Sequence, residues 1–524
     1  MSDLPPSRLA DLPPASILPA HRPAKNERAA AAGNHPRQAP RLYTLAGLVI
    51  FAAAALWYNT PRLASGAFNW AESGNTAAAL AESRGFSDPF LGGTGATAWV
   101  PPLFVWIEAG AFLLAGVKTA AAAKLLLVLA VAGLAAAHAL LIAAVPARAC
   151  WMRRMTSAVF LGVAVTMPAN SFAVLSESWL VTLLSIALLW SAQEHLRAPR
   201  RGVTASLALT AVLAPLTNAG LALATAVVLA TLLVLDFRFR RSIRAPLVAI
   251  LAAAAGVGAW TARNAVIFGR LIPLKSNLWF EVYLANVASD DGLPRAETVL
   301  RHMPFFSFDE FARYAALGEA RYVDSFRAPA LAALRAAPGH FAANVARRAI
   351  SALAFCQWGD GAMLTHTVFS RADTLRLTSA RQLLALSGSR GAIWTRIDAS
   401  PLQVHATLAA LSLDDFDGVW RDWRKNHQAY DMQYAGWRGL VTGILLAGLP
   451  SLALLGAALA GRGKLSEGAA WAALVAAAML LPFVLVNHSL RHQEPLIALQ
   501  ALMIGACAQA WVDRVRAPAS SRGV

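Results

Sequence analysis

Long apolar segments recur along this 524-residue chain, and arginines follow most of them closely. A helix needs about 20 mostly apolar residues to cross the hydrocarbon core of a bilayer. Charged residues make up only 14% of the chain, whereas soluble proteins carry roughly 25%, and the mean hydropathy is +0.50. The sequence therefore predicts an all-α polytopic membrane protein with about ten transmembrane helices.

The distribution of arginine orients the predicted spans. Positive residues in short loops favour the cytoplasmic side, and arginine-rich turns follow residues 145, 193 and 235. All of these turns lie on the cytoplasmic side if both chain termini do. The predicted spans cover residues 42–57, 119–145, 157–168, 172–193, 203–216, 219–235, 247–260, 440–460, 469–486 and 495–511.

A further apolar segment, 102–116, is predicted not to cross the membrane. It has 15 residues and contains Glu108, whereas a full span needs about 20 apolar residues. If it did cross, the first arginine-rich turns would move to the outer side, against the charge rule. We therefore expect an amphipathic helix that lies at the outer interface.

These assignments divide the chain into five parts, with two large outer loops between the spans. Segments 318–322 and 338–348 have the pattern of amphipathic helices, for which we expect a structural role. The parts are a disordered cytoplasmic tail at 1–41, a seven-span core at 42–261 with an outer loop at 58–118, an outer loop region at 262–435, three C-terminal spans at 436–512 and a cytoplasmic tail at 513–524.

The loop after the first span carries acids among glycines, threonines and prolines. Glu72, Glu82 and Asp88 all lie within residues 69–104. A plain connection needs only about two to six residues, so this longer polar segment indicates a site at the membrane surface. Glu82 is the weakest of the three candidates, because Arg84 lies close enough in sequence to pair with it.

Cations mark the outer ends of two other predicted spans. Arg263 follows one of them, in the run WTARNAVIFGRLIPLKSN, which continues to Lys275 and Asn277. Arg491 and His492 precede the last span. Arginine binds phosphate through two parallel hydrogen bonds, so these cations suit a lipid phosphate.

Glu177 lies near the outer start of the predicted span 172–193. A carboxylate inside a membrane segment is costly and is a functional candidate by default. Pairing with an arginine of the outer loops is the alternative explanation.

The acidic loop and the 260–277 run together resemble a known group of membrane enzymes. Residues 72–74, 84–90, 94–99 and 101–104 resemble the first outer loop of bacterial glycosyltransferases of the C superfamily (GT-C), similar to family 39, the protein O-mannosyltransferase and aminoarabinose-transferase type. The 260–277 run, followed by Glu281 and Asn286, resembles the Trp-Thr-x-Arg-Asn, Phe-Gly-Arg and Pro-Leu-x-Ser-Asn signature of that group. The resemblance extends over residues 42–350 and returns in the last two spans.

This resemblance implies a GT-C fold and an inverting glycosyltransferase. Such an enzyme would move a sugar from a polyprenyl-phosphate donor to a glycan, lipid or protein acceptor, at the periplasmic face of a bacterial inner membrane. In the group, an acid of this loop is the catalytic base, which implies Glu72 here. Most members carry an aspartate, so Asp88 is the competitor. The implied substrate-binding residues are Arg263, Lys275, Asn277, Glu281, Glu177, Arg491 and His492.

We expect membrane lipid and the lipid-linked sugar as partners, and no cofactor, because that sugar is a substrate. His488 and His492 lack a carboxylate in register, so no metal site is predicted. The three cysteines lie far apart and indicate no disulfide framework. The net charge of +17 comes from arginines in short loops and does not predict nucleic-acid binding.

Two other classes of protein stay open at this point. One is a lipid or solute transporter or flippase, which would share the hydropathy and the intramembrane acids. Transporters often contain internal repeats and broken helices at the membrane midplane, and the sequence displays neither. The other is a non-catalytic membrane scaffold, for which Glu72 would be dispensable.

Overall fold

The structure is a computed structural model, and it describes residues 38–65, 70, 72–90, 93–166, 175–289, 292–293, 298, 302–304, 308–354, 467–487, 492 and 494–516. Within these ranges the chain forms helices and no strands, apart from one isolated antiparallel bridge between Ser87 and Ala96. The helices are α1 (Gln38–Ser65), α2 (Glu72–Ala81), α3 (Pro102–Ala115), α4 (Ala120–Ala144), α5 (Cys150–Thr166), α6 (Ser178–Arg197), α7 (Arg201–Leu213), α8 (Ala219–Arg238), α9 (Arg244–Phe268), α10 (Leu278–Asn286), α11 (Phe308–Asp324), α12 (Arg327–Ala336), α13 (Pro338–Ala354), α14 (Glu467–Leu485) and α15 (Ile497–Arg516), with a short 3₁₀ helix at Glu494–Leu496.

Four helices are long and apolar enough to cross a membrane, which indicates a membrane α-helical protein. They comprise Ala120–Ala144, Ala219–Arg238, Arg244–Phe268 and Gly468–Leu485. Shorter apolar helices occur at Leu42–Trp57, Pro102–Ala115, Arg201–Leu213 and Ile497–Asp513. Helices α5 and α6 overlap two further predicted spans. The predicted span 440–460 lies outside the described residues, and the count of ten spans stays a prediction.

The bundle packs through small residues at the helix contacts. Helix α5 packs against α15, α7 against α9, and α8 against α14. A Cβ added at Gly505 would lie 2.6 Å from the Met152 carbonyl oxygen, and one at Gly220 would lie 2.6 Å from that of Met479. Glycine at these positions therefore lets the helix backbones approach closely.

The bundle has two chemically different ends. At one end, the Arg241 guanidinium donates to the Leu196 carbonyl oxygen over 2.9 Å, which joins the turn after α8 to the end of α6. These turns carry the arginines noted in the sequence. At the opposite end, the Leu103 N–H donates to the Leu216 carbonyl oxygen over 3.0 Å, so α3 meets the turn that follows α7.

Helix α3 contains 14 residues, so it is about 21 Å long, whereas the hydrocarbon core is about 30 Å thick. It begins directly after Pro101, and Gly116, which has a φ of 92°, caps its C-terminal end. The predicted helix is confirmed, and its orientation at the interface stays a prediction.

Helix α9 is longer than the predicted span 247–260, since it continues to Phe268. Its last turns contain Thr261, Arg263 and Asn264, which lower the local hydropathy, so the predicted span ended too early. The residues that were expected just beyond a span are therefore part of a rigid helix.

The segments predicted as the two outer loops, 58–118 and 262–435, share an aromatic core. Phe90 and Trp99 of the loop pack with Phe280 of α10 and with Tyr314 and Tyr322 of α11. The ring centroids of Phe90 lie 5.1 Å from Trp99 and 4.9 Å from Tyr314. The helices predicted at 318–322 and 338–348 are confirmed as parts of α11 and α13.

Candidate functional site

Glu72, the predicted base, is the first residue of α2 and is half-exposed. The N-terminus of a helix carries a partial positive charge, which stabilises an ionised carboxylate there. Among the residues that the structure describes, none donates a hydrogen bond to this carboxylate. The Glu72 carboxylate can therefore accept a proton without first losing a structural contact to the described part of the chain.

Helix α2 is fixed to the loop that follows it by a buried asparagine. The Asn75 side-chain amide donates to the carbonyl oxygens of Pro89 and Phe90 over 2.8 and 2.9 Å. Its oxygen accepts a hydrogen bond of 3.0 Å from the Lys118 ammonium. The loop thus folds back over the helix that begins with Glu72.

Asp88, the competing candidate, shapes this loop. It is buried and has a φ of 58°, a left-handed conformation that aspartate tolerates better than most residues. One carboxylate oxygen accepts from the Gly95 N–H over 2.9 Å, and the other pairs with the Arg84 guanidinium. The Asp88 N–H donates to the Gly95 carbonyl oxygen over 2.8 Å. Both oxygens of Asp88 are thus engaged in holding the turn.

Arg263, which was predicted to bind phosphate, holds the same loop to the end of α9. Its guanidinium donates to the carbonyl oxygens of Thr97 and Phe86 over 2.7 and 2.9 Å, and to the Asn264 side chain over 2.9 Å. Its Cζ lies 5.0 Å from the ring centroid of Trp260, a cation–π distance. These contacts occupy three of the five N–H groups of the guanidinium.

The rest of the 260–277 run builds a turn that meets the loop. The Trp260 indole donates to the Leu274 carbonyl oxygen over 2.9 Å, and the Asn264 amide donates to that of Ile272 over 2.8 Å. The Ser276 N–H then donates to the Ala98 carbonyl oxygen over 2.9 Å. The two segments that carry the family resemblance therefore contact each other directly.

Glu319 also contacts the loop, and the sequence did not reveal this role. Glu319 is buried; its carboxylate accepts from the Ala98 N–H and from the Tyr314 hydroxyl, each over 2.7 Å, and from the Thr97 hydroxyl. Gly318 precedes it with φ 71° and ψ 157°, which breaks α11 in a conformation that glycine adopts readily. The Gly318-Glu319 pair was the available signal, but nothing local to it reveals a partner more than 200 residues away.

Burial raises the pKa of the Glu319 carboxyl, and its hydrogen bonds from Thr97, Ala98 and Tyr314 oppose that rise. Burial, together with the neighbouring Glu319, raises the pKa of the Tyr314 hydroxyl as well. The tyrosine therefore stays neutral and continues to donate.

Asn277 and Glu281 form a second polar group. The Asn277 amide donates to the Glu281 carboxylate over 3.0 Å, and the Asn487 amide donates to the other oxygen of the same carboxylate. Asn487 follows the end of α14, so this contact joins the 260–281 segment to the chain that leads into the last helix. Neither the sequence pattern nor the resemblance pointed to Asn487.

The remaining predicted phosphate ligands are less defined. The His492 ring stacks on Phe483, with centroids 3.9 Å apart and an interplanar angle of 11°. Lys275 is half-buried within the turn described above. Arg491 lies outside the described residues.

Glu177 lies at the N-terminus of α6, as predicted, with no side-chain capping hydrogen bond. It contributes a negative charge to the surroundings of Glu108 on α3. The structure thus associates Glu177 with the helices next to Glu72.

The described ranges contain no group of three or more His, Cys, Asp or Glu side chains placed to hold a metal ion. The absence of a metal from the reaction stays a prediction.

Comparison of the chain with known proteins yields no match to a family model, to a curated protein or to a solved structure.

Proposed function

We propose that the protein is a membrane glycosyltransferase of the GT-C type. It takes a sugar from a polyprenyl-phosphate donor and transfers it to an acceptor at the outer face of a bacterial inner membrane. The attacking oxygen of the acceptor forms a bond to the anomeric carbon while the bond from that carbon to phosphate breaks, with inversion. Glu72 takes the proton of the acceptor, and polyprenyl phosphate leaves.

The contact between the acidic loop and the 260–277 run carries this proposal. Arg263 and Ser276 contact the loop over 2.7 Å to Thr97 and 2.9 Å to Ala98, and Glu319 of α11 contacts it at the Ala98 N–H over 2.7 Å. Two segments far away in sequence, the 260–277 run and α11, thus order the loop that contains Glu72. A site of this kind needs fixed supporting contacts, because small displacements of a catalytic group cost much of its rate.

Asp88 and Glu72, the two candidates for the base, have a structural and a chemical role respectively under this proposal. Asp88 already holds a turn with both oxygens. Glu72 is half-exposed at a helix N-terminus. We therefore assign the base to Glu72, with Asp88 as the residue that shapes the loop.

The test is the release of polyprenyl phosphate from polyprenyl-phosphate sugars that carry labelled hexoses or pentoses, measured in membranes that contain the protein. This readout needs no knowledge of the acceptor. Glu72→Gln should lower turnover by about 10²- to 10⁴-fold, the typical contribution of a general base. Glu82→Gln is the matched control, since Glu82 is exposed and pairs only with Arg84 in the described part of the chain.

If Glu72→Gln has the same turnover as the wild type, Glu72 is not the base. If Asp88→Asn alone abolishes turnover while leaving the protein folded, Asp88 is the base. No turnover of any donor in the wild type favours a transporter or a scaffold. Vesicle flux of the same lipids would then separate those two classes.

A further inference from the structure

Glu108 is a buried carboxyl on α3 that the proposed chemistry does not use. It is 1% exposed and lies where α3 packs against α2. The Ser73 hydroxyl lies close enough to Glu108 to favour its charged form, and the Glu108 Oε1 would lie 3.5 Å from a Cβ added at Gly74. Its Oε2 is buried with no hydrogen-bond partner in the described part of the chain. An unpaired buried charge is costly, so the neutral acid fits this environment better than the carboxylate.

Ser73 directly follows Glu72 in the first turn of α2. Trp70 also packs on that turn, since its Cβ would lie 3.0 Å from a Cβ added at Gly74. The Trp70 ring meets Phe112 of α3 edge-on, with centroids 5.0 Å apart. The position of the turn therefore depends on a close fit between α2 and α3, and Glu108 is the polar contact in that fit.

The charged groups that face Glu108 come from two further elements. Glu177 lies at the start of α6, and Lys118 lies in the turn between α3 and α4. Burial raises the pKa of Glu108 well above its ordinary range, and the Ser73 hydrogen bond opposes this rise. Glu177 raises the pKa further, and Lys118 lowers it.

We propose that Glu108 is a positioning residue for Glu72: as a neutral acid it holds the first turn of α2 against α3, and loss of its proton releases that turn. This inference rests on the proposed role of Glu72 as the base. Deprotonation would leave a buried negative charge that Glu177 disfavours and that Lys118 offsets in part. Water reaches that charge when the α2–α3 contact opens, and the opening moves Glu72 away from its working position.

The proposal predicts the alkaline side of the pH–activity profile. Glu108 must keep its proton under this proposal, so its deprotonation sets the alkaline limb. Glu108→Gln imitates the neutral acid, so it should keep turnover near neutral pH and lose the alkaline limb. Glu108→Ala should lower kcat with little change in KM.

Two neighbouring substitutions should move the alkaline limb in opposite directions. Glu177→Gln removes a charge that favours the proton on Glu108, so the limb should move to lower pH. Lys118→Met removes a charge that disfavours that proton, so the limb should move to higher pH. An unmoved limb in Glu108→Gln, or shifts in the same direction in the two neighbours, would overturn the proposal.

A second measurement needs no transfer activity. A cysteine is placed at position 72 in protein whose native cysteines, Cys150, Cys356 and Cys507, are replaced by serine. Its labelling rate with an impermeant maleimide is measured across pH, with Glu108 and with Glu108→Gln. The ratio of the two rates cancels the titration of the thiol itself.

We expect a ratio close to one at mildly acidic pH and a severalfold rise at alkaline pH. A ratio that stays constant overturns the positioning role, whatever the enzyme assay shows. A ratio that rises in a protein whose Glu72→Gln variant keeps full turnover instead overturns the proposed base and leaves the movement of α2 standing.

Discussion

Replacing Arg263 with alanine tests whether this side chain orders the loop that contains residues 86–98. The change removes three hydrogen bonds from a charged donor, two of which go to the loop carbonyl oxygens of Thr97 and Phe86. A hydrogen bond to a charged group contributes about 1.5–3 kcal/mol when buried, and less when it is partly exposed. Because Arg263 is half-buried, we take about 1 kcal/mol for each of the two bonds to the loop and expect the loop to lose about 2 kcal/mol.

That loss corresponds to a roughly 30-fold increase in the open population of the loop. Hydrogen–deuterium exchange of the 86–98 segment in detergent micelles measures it directly. The Asp88 N–H bonds to the Gly95 carbonyl oxygen over 2.8 Å, and the Thr97 N–H bonds to that of Phe86 over 3.1 Å. Both amides should exchange faster in Arg263→Ala.

Arg270→Ala is the matched control, because it removes an arginine seven residues further along the chain. Arg270 pairs with the exposed carboxylate of Asp324 on α11, and such surface pairs contribute only about 0–1 kcal/mol. Exchange at 86–98 should stay at the wild-type rate in this variant. If Arg263→Ala exchanges no faster than Arg270→Ala, the reasoning about the loop is refuted. A selective loss of donor-lipid binding would then make Arg263 a phosphate ligand.

Two further side chains should matter for stability. Glu319→Ala leaves the Ala98 N–H and the Tyr314 hydroxyl buried without their acceptor, at a cost of about 1–3 kcal/mol per group. The apparent melting temperature in detergent should therefore fall clearly in Glu319→Ala and fall less in Glu319→Gln. Equal melting temperatures for the two variants would contradict this role. Arg348 is fully buried and donates to the carbonyl oxygens of Val484 and Leu485 at the end of α14, over 2.7 and 3.2 Å. Arg348→Met should therefore destabilise the protein by on the order of 3 kcal/mol. If this variant unfolds at the same temperature as the wild type, the contact is dispensable.

Apolar length predicted most of the helices, because a membrane helix must satisfy its backbone internally and present apolar side chains to lipid. Apolar length does not predict the end of a helix whose last turns carry polar side chains. Helix α9 continues past residue 260 to Phe268, through Thr261, Arg263 and Asn264, and its backbone hydrogen bonds do not depend on side-chain polarity. Hydropathy therefore locates a span better than it locates the end of the helix.

The candidate site was predicted only in part, for a different physical reason. Residue type and local setting pointed to Glu72 and Arg263, but the partners of Arg263 lie 166 and 177 residues away. Glu319 is 221 residues from Ala98, whose N–H it accepts. Such pairings follow from how the helices bring distant turns together, and no local pattern encodes them. The sequence thus located charged residues and could not tell a ligand from a structural contact.

The acids at this end of the bundle differ in their hydrogen-bond and ion-pair partners. Glu82 pairs with Arg84, Asp88 with Arg84 and the Gly95 N–H, and Glu319 with Thr97, Ala98 and Tyr314. Ordering a residue costs about 1–2 kcal/mol of backbone entropy, so a loop held by this many contacts is fixed against a considerable opposing term. Within the described residues, Glu72 is the acid of that loop whose carboxylate takes no part in fixing it. A loop ordered by Asp88 and by Glu319 of α11, with one carboxylate left half-exposed at a helix N-terminus, suits the proposed proton transfer to a fixed base.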